Sequence, residues 1–124
     1  MPILEVEVVL KDGEGVDPRA AARIADAAAA VFGAPPGNTW VRVMTLLFSV
    51  YAEDAGGPPD GVFPVFVSVL LRARCGGPGE TACEAERLTH AIAPILERSS
   101  ENVHILYEPD GAGQVSFGGS LVGT

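Results

Sequence analysis

One residue near the start of the chain, Pro2, has a type and a position that could do chemistry on their own. It follows Met1 and opens a strand-like run, Ile3-Leu4-Glu5-Val6-Glu7-Val8. Removal of Met1 leaves Pro2 with a free secondary amine held at the start of a strand. An unperturbed α-amino group has a pKa of about 7.7–8.0. Apolar surroundings or nearby cations lower that value. A neutral amine that takes a proton at physiological pH is well matched to general-base work. With Met1 retained, the same nitrogen is an amide and has no such capacity.

The cations form the second group. The net charge is −8, with eight Lys+Arg against sixteen Asp+Glu. Lys11 is the lone lysine; the arginines are Arg19, Arg23, Arg42, Arg72, Arg74, Arg87 and Arg98. Arginine presents a planar, permanently charged fork that suits carboxylates. An acidic protein that binds a small anion must gather such forks in one place. Arg42, between Val41 and Val43, either pairs with Glu5 or Glu7 or clamps a carboxylate. Arg72 and Arg74 are either a solvated loop pair or a second clamp. Nucleic acid needs a basic face, so the composition argues against such a partner. His104 reads as a core or interface histidine and His90 as an exposed helix residue. Cys75 and Cys83 match no zinc or redox spacing and read as reduced thiols. No metal site is expected.

The elements that must position these residues can be read in order. The chain has 124 residues, 48% hydrophobic and 19% charged, which suits one domain with a core of its own. No apolar run has the length of a membrane span, and no secretory leader is visible. A cytoplasmic location without a membrane partner is the expectation. Leu4, Val6, Val8 and Leu10 alternate with Glu5 and Glu7, the period of a strand. Asp17 as N-cap and Pro18 at the first position open a helix to about Phe32. Ile24, Ala28 and Val31 form its buried stripe, and Gly33 is placed to end it. Trp40 to Tyr51 reads as one long strand. The stretch Ala55-Gly56-Gly57-Pro58-Pro59-Asp60-Gly61 is a break. Pro64 to Leu71 is again a strand. Thr81 and Glu84 form a capping box for a second helix, with Ala85, Leu88, Ile92 and Ile95 as its stripe and a kink expected at Pro94. Asn102 to Tyr107 is a strand, and 115–122 a short strand or hairpin.

The order strand, helix, strand therefore occurs twice, over about 2–54 and 64–122. Pro64 falls opposite Pro2, and Val103-His104-Ile105 opposite Val41-Arg42-Val43. A helix between two strands makes them parallel. The predicted class is α+β: tandem β-α-β units forming a four-stranded mixed sheet with two helices on one face. The other face is expected to be apolar and bare, and a second copy of the chain to cover it.

These features together resemble the tautomerase superfamily. They are the Met-Pro start on a strand, the repeat, the Val-Arg-Val strand, and the tail Val115-Ser116-Phe117-Gly118-Gly119-Ser120-Leu121-Val122. The double length is similar to 5-carboxymethyl-2-hydroxymuconate isomerase, macrophage migration inhibitory factor and cis-3-chloroacrylic acid dehalogenase. Asn102 to Val122 resembles the C-terminal part of a 4-oxalocrotonate tautomerase subunit, and the first strand with Arg42 resembles the other end of such a subunit. The resemblance implies a homotrimer without cofactors that acts on a small unsaturated 2-hydroxy or 2-oxo carboxylate. It implies Pro2 as catalytic acid or base and Arg42 and Arg72 as carboxylate-holding catalytic residues. Arg74, Lys11, Tyr107, Phe117 and Val115 are the implied substrate contacts. Lys11 stands where shorter members carry an arginine after the first strand. Val115 stands where they carry an aromatic, so Phe117 or Tyr107 must supply that wall. Pro64 is mid-chain and its nitrogen an amide, so one site per chain is expected. Two alternatives stay open. One is a dehalogenase-like hydratase with Glu108 to activate water; the other is a non-catalytic trimeric binding protein.

Overall fold

The computed structural model describes residues 1–74 and 76–123. Six strands and two α-helices are laid out as β1 (Pro2–Leu10), α1 (Ala20–Phe32), β2 (Trp40–Leu47), β3 (Val65–Leu71), α2 (Pro78–Ile92), β4 (Val103–Tyr107), β5 (Ser116–Phe117) and β6 (Ser120–Leu121). The first four strands make one sheet in the order β2-β1-β3-β4. β1 runs parallel to β2, β3 parallel to β4, and β1 antiparallel to β3. The predicted mixed sheet of two β-α-β units is therefore present. β5 and β6 form a separate small hairpin.

Strand alternation decides which residues meet. Leu4, Val6 and Val8 of β1 and Val65, Val67 and Val69 of β3 point to one face and are fully or almost fully buried. Ala20, Ile24 and Ala28 of α1 and Leu88 and Ile92 of α2 join them in one cluster. Both helices thus cover the same face. The opposite face carries Ile3, Glu5 and Glu7 of β1, Trp40, Arg42 and Met44 of β2, Phe66 and Ser68 of β3, and His104 and Leu106 of β4. Trp40, Met44 and Leu106 are exposed there. This face is not the uniformly apolar surface expected, because Glu5, Glu7 and Arg42 interrupt it.

Four boundaries differ from the sequence reading, each for a local reason. α1 begins two residues late. Asp17 still caps, taking the Arg19 N–H at 2.8 Å, but the cap closes a turn before the helix proper. α2 begins at Pro78, not near Thr81. Proline at the first position is pre-set for helix, and Glu80 accepts the Gly77 N–H at 2.9 Å, so the cap is Gly77, held by the Glu80 side chain. Pro94 ends α2 instead of kinking it: the helix stops at Ile92, and Ile95 packs on the core from the turn beyond. β2 ends at Leu47, where the chain turns into a short 3₁₀ segment, Phe48–Val50. Gly33 ends α1 as expected, with a left-handed φ of 62° that favours glycine.

The two repeats are also offset by one residue from the sequence alignment. Leu4 pairs with Val41 and Val65 pairs with Val103. If Val41 and Val103 are equivalent, Pro2 corresponds to Phe63, not to Pro64.

At the far end of the sheet Arg98 ties three segments together. Its side chain is only 4% exposed. It donates to Val9 O at 3.0 Å, Phe63 O at 2.8 Å, Leu96 O at 3.1 Å and both carboxylate oxygens of Glu14 at 2.7 and 2.9 Å. The hydrogen bond from Arg98 holds the Glu14 carboxyl below its ordinary value of 4.5, against the opposing pull of burial. A depressed folded-state pKa stabilises the fold above the unfolded pKa, and that contribution is lost as pH falls through the folded value. The urea midpoint should therefore drop as pH is lowered below about 4.5, and Glu14→Gln should flatten that drop. Arg98→Met leaves three carbonyls and a carboxylate without this donor and should cost roughly 3–5 kcal/mol. Arg42 makes a useful contrast. It pairs across the β1–β2 register with Glu5, both side chains largely in solvent. Arg42→Ala should move the same midpoint by less than about 1 kcal/mol.

Candidate active site

The β1–β3 register sets the site. Pro2 lies opposite Leu71, the last residue of β3, so the next residue, Arg72, emerges beside the start of β1. Pro2 is buried. It shares a cavity of about 300 Å³ with Arg72, Phe32, Asn38 and Glu84, bounded also by the Gly33–Pro35 turn after α1. That is the low end of the range for small-molecule sites. The walls are apolar backbone and ring, and the two charged side chains, Arg72 and Glu84, are of opposite sign.

Each wall has a structural cause. Gly33 turns the chain back after α1, which brings Ala34, Pro35 and Asn38 over Pro2. Arg72 leaves the end of β3, and its Nε donates to Gly123 O at 3.2 Å, so the C-terminal segment lies against it. Glu84 comes from α2. Tyr107, on β4, donates its hydroxyl to Glu84 Oε1 at 2.8 Å. Burial, then the Glu84 hydrogen bond and charge, push the Tyr107 hydroxyl well above its ordinary value, so it stays a neutral donor. Met1 also lines the cavity. A Cβ built on Gly111 would lie 2.6 Å from Met1 Cε, 3.2 Å from Leu71 O and 3.2 Å from Val115 Cγ2. Gly111 therefore lets Met1 and Val115 approach the backbone closely.

The other sequence candidates are distributed as follows. Arg74 borders the next hollow, with Gly76, Gly77, Pro78 and Tyr107, and lies 3.8 Å from Asp110. Phe117 stands edge-on to Trp40 at 5.2 Å, at the end of the sheet where Pro2 lies. Lys11 is at the opposite end of β1, about 30 Å away at roughly 3.3 Å per residue. It lines a second hollow with Phe63, over whose ring its Nζ sits at 5.8 Å. Within one chain Lys11 does not reach Pro2. Nor does Arg42, which lies on the sheet face away from it. Glu108 does not line the Pro2 cavity. His104 is on the open face, its ring 5.4 Å from that of Phe66. His90 is exposed, as expected. Cys83 is an exposed free thiol, and Cys75 lies outside the described residues.

Glu84, Asn38 and Phe32 were missed. Glu84 had a signal in the sequence. It precedes Leu88 and Ile92 by four and eight residues, so it heads the buried stripe of α2, where a carboxylate is out of place. Reading it as a capping partner hid that. Asn38 and Phe32 flank a turn whose direction no local pattern gives.

No protein-family model matches the chain, and no curated protein matches it in sequence. Solved structures do match. A fused 4-OT described as a wild-type symmetric trimer superposes with a TM-score of 0.75 at 17% identity, over 97% of this chain and 94% of the other. Macrophage migration inhibitory factor from Oncomelania hupensis gives 0.71 at 19% identity, over 98% and 82%. FG41 malonate semialdehyde decarboxylase, inhibited by 3-bromopropiolate, gives 0.67 at 21% identity, over 93% and 88%. The chain has the fold of the tautomerase superfamily, to which these neighbours belong.

Proposed function

We propose that the chain is a cofactor-independent tautomerase or isomerase of a small unsaturated 2-hydroxy or 2-oxo carboxylate. One observation carries the reading: Pro2, buried at the start of β1, shares its cavity with the guanidinium of Arg72. With Met1 removed, Pro2 offers a secondary amine among apolar groups and beside a cation. Both influences favour the neutral form. The amine takes a proton from the enol hydroxyl or an allylic carbon of the substrate and returns one elsewhere on the conjugated chain. Arg72 holds the carboxylate and stabilises the charge that develops on the dienolate.

The same reading includes a homotrimer. The sheet face away from the helices carries Trp40, Met44 and Leu106 in the open, and the fused 4-OT neighbour is described as a trimer. Arg42 lies on that face, so it serves a Pro2 cavity only from a neighbouring copy. Arg74 and Phe117 stand near the cavity rim and Lys11 far from it; any part for Lys11 also needs a neighbour.

The tests are direct. Intact mass decides whether Met1 is removed. Spectrophotometric ketonisation of phenylenolpyruvate should slow by roughly 10²–10⁴-fold in Pro2→Ala, the usual size of a lost general base. Arg72→Ala should raise KM roughly tenfold to a hundredfold, the loss of a charged hydrogen-bonding partner. Light scattering should give about three times the chain mass of 12.8 kDa. Equal ketonisation rates in Pro2→Ala and wild type would reject the amine as catalyst. A retained Met1 would leave a binding protein.

A further inference from the structure

We propose that Glu84 is a second proton-transferring group of the Pro2 cavity and that Tyr107 is the residue that positions it. The inference rests on Pro2 acting as the catalytic amine. Glu84 lines the same space as Pro2 and Arg72. Tyr107 reaches it from a different element, with its hydroxyl 2.8 Å from Oε1. The other acids of α2 have structural uses at its surface. Glu80 caps Gly77, and Glu86 lies 3.9 Å from His90. Glu84 alone stands at the head of the buried stripe, half out of solvent, where a carboxylate costs desolvation. Its hydrogen bond from Tyr107 fixes where that carboxyl sits in the cavity.

The chemistry divides one tautomerisation between two groups. Neutral Pro2 takes the enol hydroxyl proton while the Glu84 carboxyl gives its proton to the substrate carbon. An O–H bond breaks, a C–H bond forms, and the oxygen becomes the carbonyl of the keto acid. Pro2 is left protonated and Glu84 ionised. Transfer of that proton from the amine to the carboxylate within the cavity restores both. No oxidant, metal or co-substrate enters. The charged and titratable groups around Glu84 are Tyr107 on β4, Arg72 after β3, the N-terminal amine on β1, and Glu80, Cys83 and Arg87 on its own helix. Arg74 acts at one remove, through Tyr107.

The experiment uses the full chain with Met1 removed and two readouts. One is phenylenolpyruvate ketonisation against pH. The other is covalent labelling by 3-bromopropiolate, read as intact mass; a neutral amine adds to the alkyne carbon and bromide leaves. Glu84→Gln should still be labelled, which shows that it folds and keeps its amine. Its labelling midpoint should fall by about one pH unit, because a carboxylate beside an amine raises the amine's pKa. Its kcat should fall about a hundredfold or more with KM little changed. Tyr107→Phe should be labelled at the wild-type midpoint but lose roughly tenfold in kcat with KM little changed, since the Glu84 carboxyl loses the bond that aims it. Glu84→Gln with wild-type kcat and an unmoved labelling midpoint would overturn the proposal. Failure of the Pro2 reading looks different. The wild-type chain would then go unlabelled and Pro2→Ala would ketonise as fast, and this inference would fall with it.

Discussion

The pairing of β1 with β3 is the constraint on which the rest depends. It is antiparallel, and its register puts Pro2 opposite Leu71. Two parallel β-α-β units could each form without it, but their strand ends would then have no fixed relation. The antiparallel join sets the beginning of one unit beside the end of the other's first strand. A nitrogen at the N-terminus and an arginine seventy positions later become neighbours across one hydrogen-bonded ladder. A one-residue slip would turn Pro2 out of the core and onto the opposite face. The fully buried row Leu4, Val6, Val67 and Val69 resists that slip, because it would expose every one of them.

The two faces of the sheet divide the work. The helix-covered face supplies the core and ends in the cavity. The open face carries Arg42, paired with Glu5, together with exposed aromatic and aliphatic side chains. Residues separated by the thickness of a sheet cannot meet inside one chain, however close they are in register. This is why Arg42 and Pro2, both placed in one site by resemblance, stand apart here. The far end of the sheet has a different character. There Arg98 satisfies backbone carbonyls from β1 and the β3 approach and neutralises Glu14 almost out of solvent. A buried guanidinium with its bonds satisfied is costly to disturb, which suits a structural clasp at the end remote from the cavity.

Much of the architecture was legible in the sequence. Alternation in 2–10 and 65–71, the apolar stripe Ile24 and Ala28, and Gly33 after Phe32 are local patterns, and local patterns survive folding. The boundaries that moved did so where two local signals compete. Thr81 with Glu84 resembles a cap, yet Gly77 with Glu80 supplies one four residues earlier. Pro94 lacks the N–H that would continue a helix, and its position near the end of α2 let the helix stop instead of bending. The site was legible only in part. Pro2 and Arg72 each carry a signal of their own and the strand register joins them. Lys11 also follows a strand, but it lies at the other end of the same ladder from Pro2. Glu84 and Asn38 meet Pro2 only through the packing of α2 and the turn after α1 on the sheet. No spacing along the chain encodes that meeting.

The contact between Met1 and Gly111 carries a consequence for maturation. The methionine methyl fills space against the Gly111 backbone, and Met1 also lines the Pro2 cavity. Cleavage of the first peptide bond would thus do two jobs in a single event: it frees the Pro2 nitrogen as an amine, and it removes one side chain from the wall of the cavity. Until then the Pro2 nitrogen is an amide, and the initiator side chain occupies space beside it.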